Sequence, residues 1–135
     1  MKEVSKTLSY KGRDYKIVFN LNVIEAIQKE YGSLERWGDL TDGKRKDKNG
    51  KKVDTEVDFS ALIFGITEAV NEGIDIDNED REEKLPFLTR RQVARMISEL
   101  GQAKVTEELN NLVIESTKTT TDEDDEDDED DEKNA

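Results

Sequence analysis

Apolar positions recur most regularly over Asp58–Gly73 (DFSALIFGITEAVNEG). Phe59, Leu62, Ile63, Ile66 and Val70 stand at helical spacing and form one stripe. Asp58 is suited to cap the start, and Gly73 falls where a helix would end. Burying such side chains is worth roughly 1.5–3 kcal/mol each, so this helix is expected to be the core element on which the others close. Its flank around Phe64 has a second reading, as a face for a partner.

Before it, Thr7–Tyr10 and Asp14–Phe19 alternate apolar and polar residues around Lys11-Gly12-Arg13, which predicts a small hairpin. A lone two-stranded hairpin is marginal in water, so its apolar face is expected to lie on helices. Asn22 with Glu25 resembles a capping box, and Val23, Ile24, Ile27 and Tyr31 predict a helix ended by Gly32. Ser33 then caps a short piece, Leu34–Trp37. After the central helix, Ile74–Lys84 reads as an acidic connector and Pro86 as a break. Thr89 and Gln92 form a capping box flanked by Leu88 and Val93, opening a helix that buries Val93, Ala94, Ile97 and Leu100 and stops at Gly101. A last helix, about Ala103–Ser116, aligns Val105, Leu109, Leu112 and Val113.

Two stretches lack this patterning. Gly38–Val57 holds three glycines and the cations Lys44, Arg45, Lys46, Lys48, Lys51 and Lys52. Asn49-Gly50 marks a hairpin turn, but no face of such a ribbon is apolar, so 38–57 is expected to be a mobile basic loop. From Thr117 to Asn134 no apolar residue occurs, and 117–135 is expected to be a disordered acidic tail. The predicted fold is mainly α: a small N-terminal β-hairpin packed on a four- to five-helix bundle, one domain over 1–116.

The net charge of −13 sharpens this division. Residues 122–132 are eleven consecutive acids, while residues 1–121 hold 23 acids and 20 bases. The body is therefore close to neutral and the acidity belongs to the tail. With no Cys there is no disulfide framework, and with no His the commonest general base and metal ligand is missing. The N-terminus lacks the apolar segment of a secretory signal, and no run approaches the ~18 apolar residues of a membrane span. A cytoplasmic protein with no membrane partner is expected.

Candidate chemistry is sparse. Asp75, Asp77 and Glu79 alternate as in a calcium loop, but its sixth and twelfth positions hold Asp80 and Pro86 instead of Gly and Glu. The run Lys44–Lys52 lacks the aromatics that stack on bases, so no nucleic acid is expected as a partner. The tail can collect divalent cations only weakly, because nothing preorganises it. No nucleophile elbow, phosphate-binding Gly loop or metal-ligand spacing occurs. No enzyme, catalytic residue, cofactor or metal is expected.

The order of three stretches, YKGRDYKIVFNLNVIEAIQKEYGSLERW (10–37), DFSALIFGITEAVNEGID (58–75) and LTRRQVARMISELG (88–101), resembles the small tail assembly chaperones of long-tailed (siphovirus- and myovirus-like) phages and prophages. The resemblance covers roughly residues 5–115 and excludes the basic loop and the acidic tail. It implies a mostly helical, non-enzymatic protein of the bacterial host cytoplasm. Such a protein coats the tape measure protein and keeps it soluble during tail assembly, and a homo-oligomer is compatible with that role. It also implies a longer frameshifted product that recruits the tail tube protein. Helix-in-groove binding favours aromatic anchors, which makes Trp37, Phe64, Phe87 and Leu88 the candidate contacts. Two other readings stand beside it. One is an acidic DNA-mimic or anti-restriction protein, disfavoured by the near-neutral body. The other is a generic acidic protein-interaction module.

Overall fold

The N-terminal hairpin pairs β1 (Ser5–Tyr10) with β2 (Arg13–Val18) in the register Tyr10↔Arg13, Leu8↔Tyr15 and Lys6↔Ile17. Only Lys11 and Gly12 separate the strands, with φ of 53° and 73°. Two successive positive φ values give the turn whose twist matches its flanking strands, one residue tighter than the sequence implied. The structure, a computed structural model, describes residues 4–125, of which 119–125 by backbone alone.

Helix α1 (Leu21–Tyr31) is capped by Asn20, two residues before the expected Asn22. Asn20 is extended, and its Oδ1 accepts from the N–H groups of Asn22 and Val23. The amide groups of Asn20 and Asn22 both donate to Glu72, which ties this helix start to the central helix. Ser33 caps α2 (Leu34–Asp42), which runs past Trp37 because the Thr41 side chain is buried and its hydroxyl donates to Gly38 O.

The stretch expected to be a mobile loop carries secondary structure. It holds the end of α2 and a second antiparallel ribbon, β3 (Lys44–Lys46) with β4 (Lys52–Asp54). Main-chain pairing holds the ribbon, and charge pairing, which an apolar pattern does not display, adds the contacts with α2 described below.

Helix α3 (Phe59–Asn78) is the centre of the core and is capped by Asp58 as expected. It passes through Gly73 and continues for five residues. Gly73 serves close packing: β2 lies against α3, and a Cβ at Gly73 would come within 2.2 Å of Lys16 O. The buried face is Ala61, Leu62, Gly65, Ile66, Ala69, Val70, Gly73 and Ile74. Phe59, expected in the stripe, is exposed, because at the first helical residue the face runs out beyond the elements that cover it.

Residues 79–88 form a strap running back along α3. Thr89 and Gln92 then make a capping box for α4 (Arg90–Leu100), which buries Val93, Met96 and Ile97. Helix α5 (Gln102–Asp125) extends beyond Ser116 into residues expected to belong to the acidic tail. The buried seam Val105, Leu109 and Leu112 continues to Ser116, and the Thr117 hydroxyl donates to Val113 O. A helix anchored over that many turns propagates at the cost of one residue's ordering per added bond. The expectation of disorder over 126–135 lies outside the described residues. Among the described residues no helix is long and apolar enough to cross a membrane. The chain is thus mostly helical, with an N-terminal two-stranded hairpin.

Candidate partner-binding surfaces

Of the four candidate contacts, Trp37 is not available to a partner. Its side chain is 2% exposed, stacked on Phe19 with ring centroids 6.0 Å apart, and its Nε1 donates to Ala61 O at 2.9 Å. The indole is a core strut between α2 and α3, where its N–H finds the partner that burial demands.

Phe64 is half-buried and meets Tyr31 edge to face at 5.6 Å. Burial, then the charges of Asp58 and Glu30, push the Tyr31 phenol above its ordinary range, while Arg90 and a hydrogen bond with Ser60 act against this. The pair leaves one aromatic edge between α1 and α3 at the surface.

Leu88 and Phe87 lie on the strap, whose main chain is held by two asparagines of α3. Asn78 accepts from Leu85 N at 2.8 Å and donates to Leu85 O at 3.0 Å. Asn71, seven residues earlier, does the same for Leu88 at 2.9 and 3.0 Å. Residues seven apart fall on the same helix face, so one face of α3 carries two amide clamps. Lys84 Nζ adds bonds to Asn78 O and Arg81 O. Phe87, between the clamped residues, is 55% exposed. It borders a shallow cleft of about 450 Å³ with Leu85 and Pro86 on its wall and Asp75 and Glu79 at its rim. The clamps were not legible from the sequence, where an Asn inside a helical pattern reads as a weak helix former and names no partner.

The other sequence candidates divide differently. Asp75 and Asp77 lie within α3 and Glu79 closes it, so the three carboxylates follow a helix and not a calcium loop. Asp77 faces Lys16 at 3.5 Å. Among the described residues no three His, Cys, Asp or Glu side chains converge to hold a metal ion. The basic ribbon folds back on α2. Lys46 and Lys52 both face Glu35 at 3.5 Å, Lys52 reaches Asp39 at 3.0 Å, and Lys44 pairs with Asp54. The hydrogen bond to Asp39 is the main reason that Lys52 titrates above its ordinary value. In the turn, Asp47 Oδ1 accepts from the N–H groups of Asn49 and Lys51. Half of the six ribbon cations are therefore already engaged, which lowers their value to a polyanion.

Glu68 is half-buried on α3. Desolvation, then the neighbouring Glu72, raise its pKa above the ordinary value. Comparison of the chain with protein-family models, curated proteins and solved structures finds no match.

Proposed function

We propose that this protein is a non-enzymatic assembly chaperone that binds an extended amphipathic helix, and specifically the tape measure protein of a long-tailed phage. The observation that carries the reading is Phe87. An aromatic side chain is 55% exposed on a strap whose main chain is bonded at Leu85 and Leu88, so its presentation is preorganised. Preorganised aromatics lose little freedom on binding and suit helix-in-groove recognition. Within this reading the helices act as a bundle whose surface grooves receive the partner, with the Tyr31–Phe64 edge as a second anchor. The resemblance of 10–37, 58–75 and 88–101 to tail assembly chaperones points the same way.

The test is co-expression with the long helical protein encoded immediately downstream. The wild-type chain is expected to keep that protein soluble and to co-purify with it at moderate salt. Phe87→Ala is expected to weaken the complex roughly thirty-fold, the effect of losing a binding hot spot, with unchanged circular dichroism. If the partner stays insoluble with or without this chain, and the two do not co-purify, the chaperone reading fails and a generic acidic interaction module replaces it.

A further inference from the structure

A second positive surface among the described residues stands apart from the basic ribbon. It is a cleft of about 390 Å³ between the hairpin turn and α4, with Tyr10, Tyr15 and Leu88 as walls and Lys11, Arg13 and Arg95 as cations. The register explains the assembly. Tyr10 faces Arg13 and Leu8 faces Tyr15 across the hairpin, so Tyr10, Arg13 and Tyr15 share the sheet face that carries buried Leu8 and Ile17. The positive φ at Lys11 and Gly12 folds the turn so that Lys11 Nζ stands 5.5 Å over the Tyr10 ring. No residue lining the cleft is acidic. Among the described residues, Lys11, Arg13 and Arg95 have no carboxylate partner; on the ribbon Lys44, Lys46 and Lys52 have one, and Arg45, Lys48 and Lys51 do not. In a chain of net charge −13, three unpaired cations around a concave aromatic floor form a site for a carboxylate-rich peptide.

We propose that this cleft receives the chain's own acidic segment, residues 126–132 (EDDEDDE), from the same copy. Charge complementarity selects the occupant, because seven consecutive carboxylates follow directly on the last residue of α5. Helix α5 and the hairpin are neighbours. Glu115 of α5 pairs with Lys6 at 3.1 Å, on the strand that leads to the turn. From Lys6 to Lys11 the strand spans about 17 Å, and from Glu115 to Asp125 the helix spans about 15 Å. The seven acids beyond Asp125 extend up to about 24 Å, a reach that exceeds the length of the strand from Lys6 to the turn. Tethering supplies an effective concentration on the order of millimolar, enough for contacts that are individually weak.

The experiment compares amide and arginine side-chain nuclear magnetic resonance spectra of the full chain with those of a full-length variant. In the variant the seven carboxylates at 126–132 are replaced by their amides (Asp→Asn, Glu→Gln). Signals of Tyr10, Lys11, Arg13 and Arg95 are expected to move, those of Arg45, Lys48 and Lys51 to stay, and the wild-type spectrum to be unchanged by hundredfold dilution. A synthetic EDDEDDE peptide added to the amide variant is expected to saturate the same signals. Its affinity should fall about tenfold or more on Arg13→Gln with Arg95→Gln, as for loss of charge-assisted hydrogen bonds. Movement confined to the ribbon, silence at the cleft, or failure of the peptide to saturate these signals overturns the proposal. Dilution-dependent signals overturn it in favour of a second copy as the source. These outcomes do not depend on whether a tape measure protein binds.

Discussion

Gly65 lies directly beneath the indole of Trp37: a Cβ built on it would stand 2.4 Å from Cζ2 and 3.1 Å from Nε1 of the ring. The absence of a side chain there lets the largest buried residue of α2 lie flat on α3 and reach Ala61 O. Gly73 repeats the device two turns later against the main chain of β2. Gly65→Ala and Gly73→Ala are therefore expected to destabilise the protein by about 1–3 kcal/mol or more, the cost of overpacking. Gly73→Ala should cost more, because a backbone carbonyl moves less readily than a ring. Gly38, also helical and with nothing within 4 Å of an added Cβ, is the control. Gly38→Ala should stabilise by about 0.5–1 kcal/mol. Urea midpoints compare the three, and equal midpoints would refute the packing argument.

The Asn78 clamp on Leu85 predicts a local effect. Asn78→Ala leaves the N–H and C=O of Leu85 without their amide partner, at a cost of about 1–3 kcal/mol for groups that stay buried. Hydrogen exchange at the Leu85 amide should accelerate well before that of Val70 in the middle of α3. If both amides change together, the strap and the helix unfold as one unit.

Glu68 gives a pH signature. Its folded-state pKa is raised, so the folded state holds this proton more tightly than the unfolded chain does. Stability from this group is greatest below the ordinary glutamate pKa and falls as pH rises through the raised folded value. Glu68→Gln is therefore expected to stabilise the protein at neutral pH, by less than about 1 kcal/mol because the group is partly solvated. It should also remove that segment of the stability profile. Thermal melts between acidic and neutral pH check this, and a loss of stability at neutral pH would contradict it.

For the ribbon, Glu35 is the shared counter-ion of Lys46 and Lys52. Glu35→Gln should loosen β3 and β4, seen as faster exchange at Arg45 and Val53 amides. Global stability should change by no more than about 1 kcal/mol, since exposed ion pairs contribute little. The same loosening should appear in the wild type at high salt. A ribbon insensitive to both would owe its order to its main-chain pairing and the hydrogen bonds around Asp47.

What the sequence determined by itself was local. Helix caps at Ser33, Asp58 and Thr89, the hairpin turn after Tyr10 and the seam Val105–Leu109–Leu112 are set by side chains within a few residues of one another, and the structure keeps all of them. What only the tertiary structure decided was every feature that depends on an element distant in the chain. Gly73 reads as a helix end until β2 is seen lying against it. Trp37 and Phe87 are both aromatics beside helices, yet one is sealed under α3 and the other held in solvent by a strap. Lys44, Lys46 and Lys52 look like free basic surface until Asp54, Glu35 and Asp39 engage them, whereas Lys11, Arg13 and Arg95 converge only when the hairpin meets α4. Burial and charge compensation are properties of pairs brought together by folding, and a pattern along one chain carries the periodicity of each partner but not their meeting.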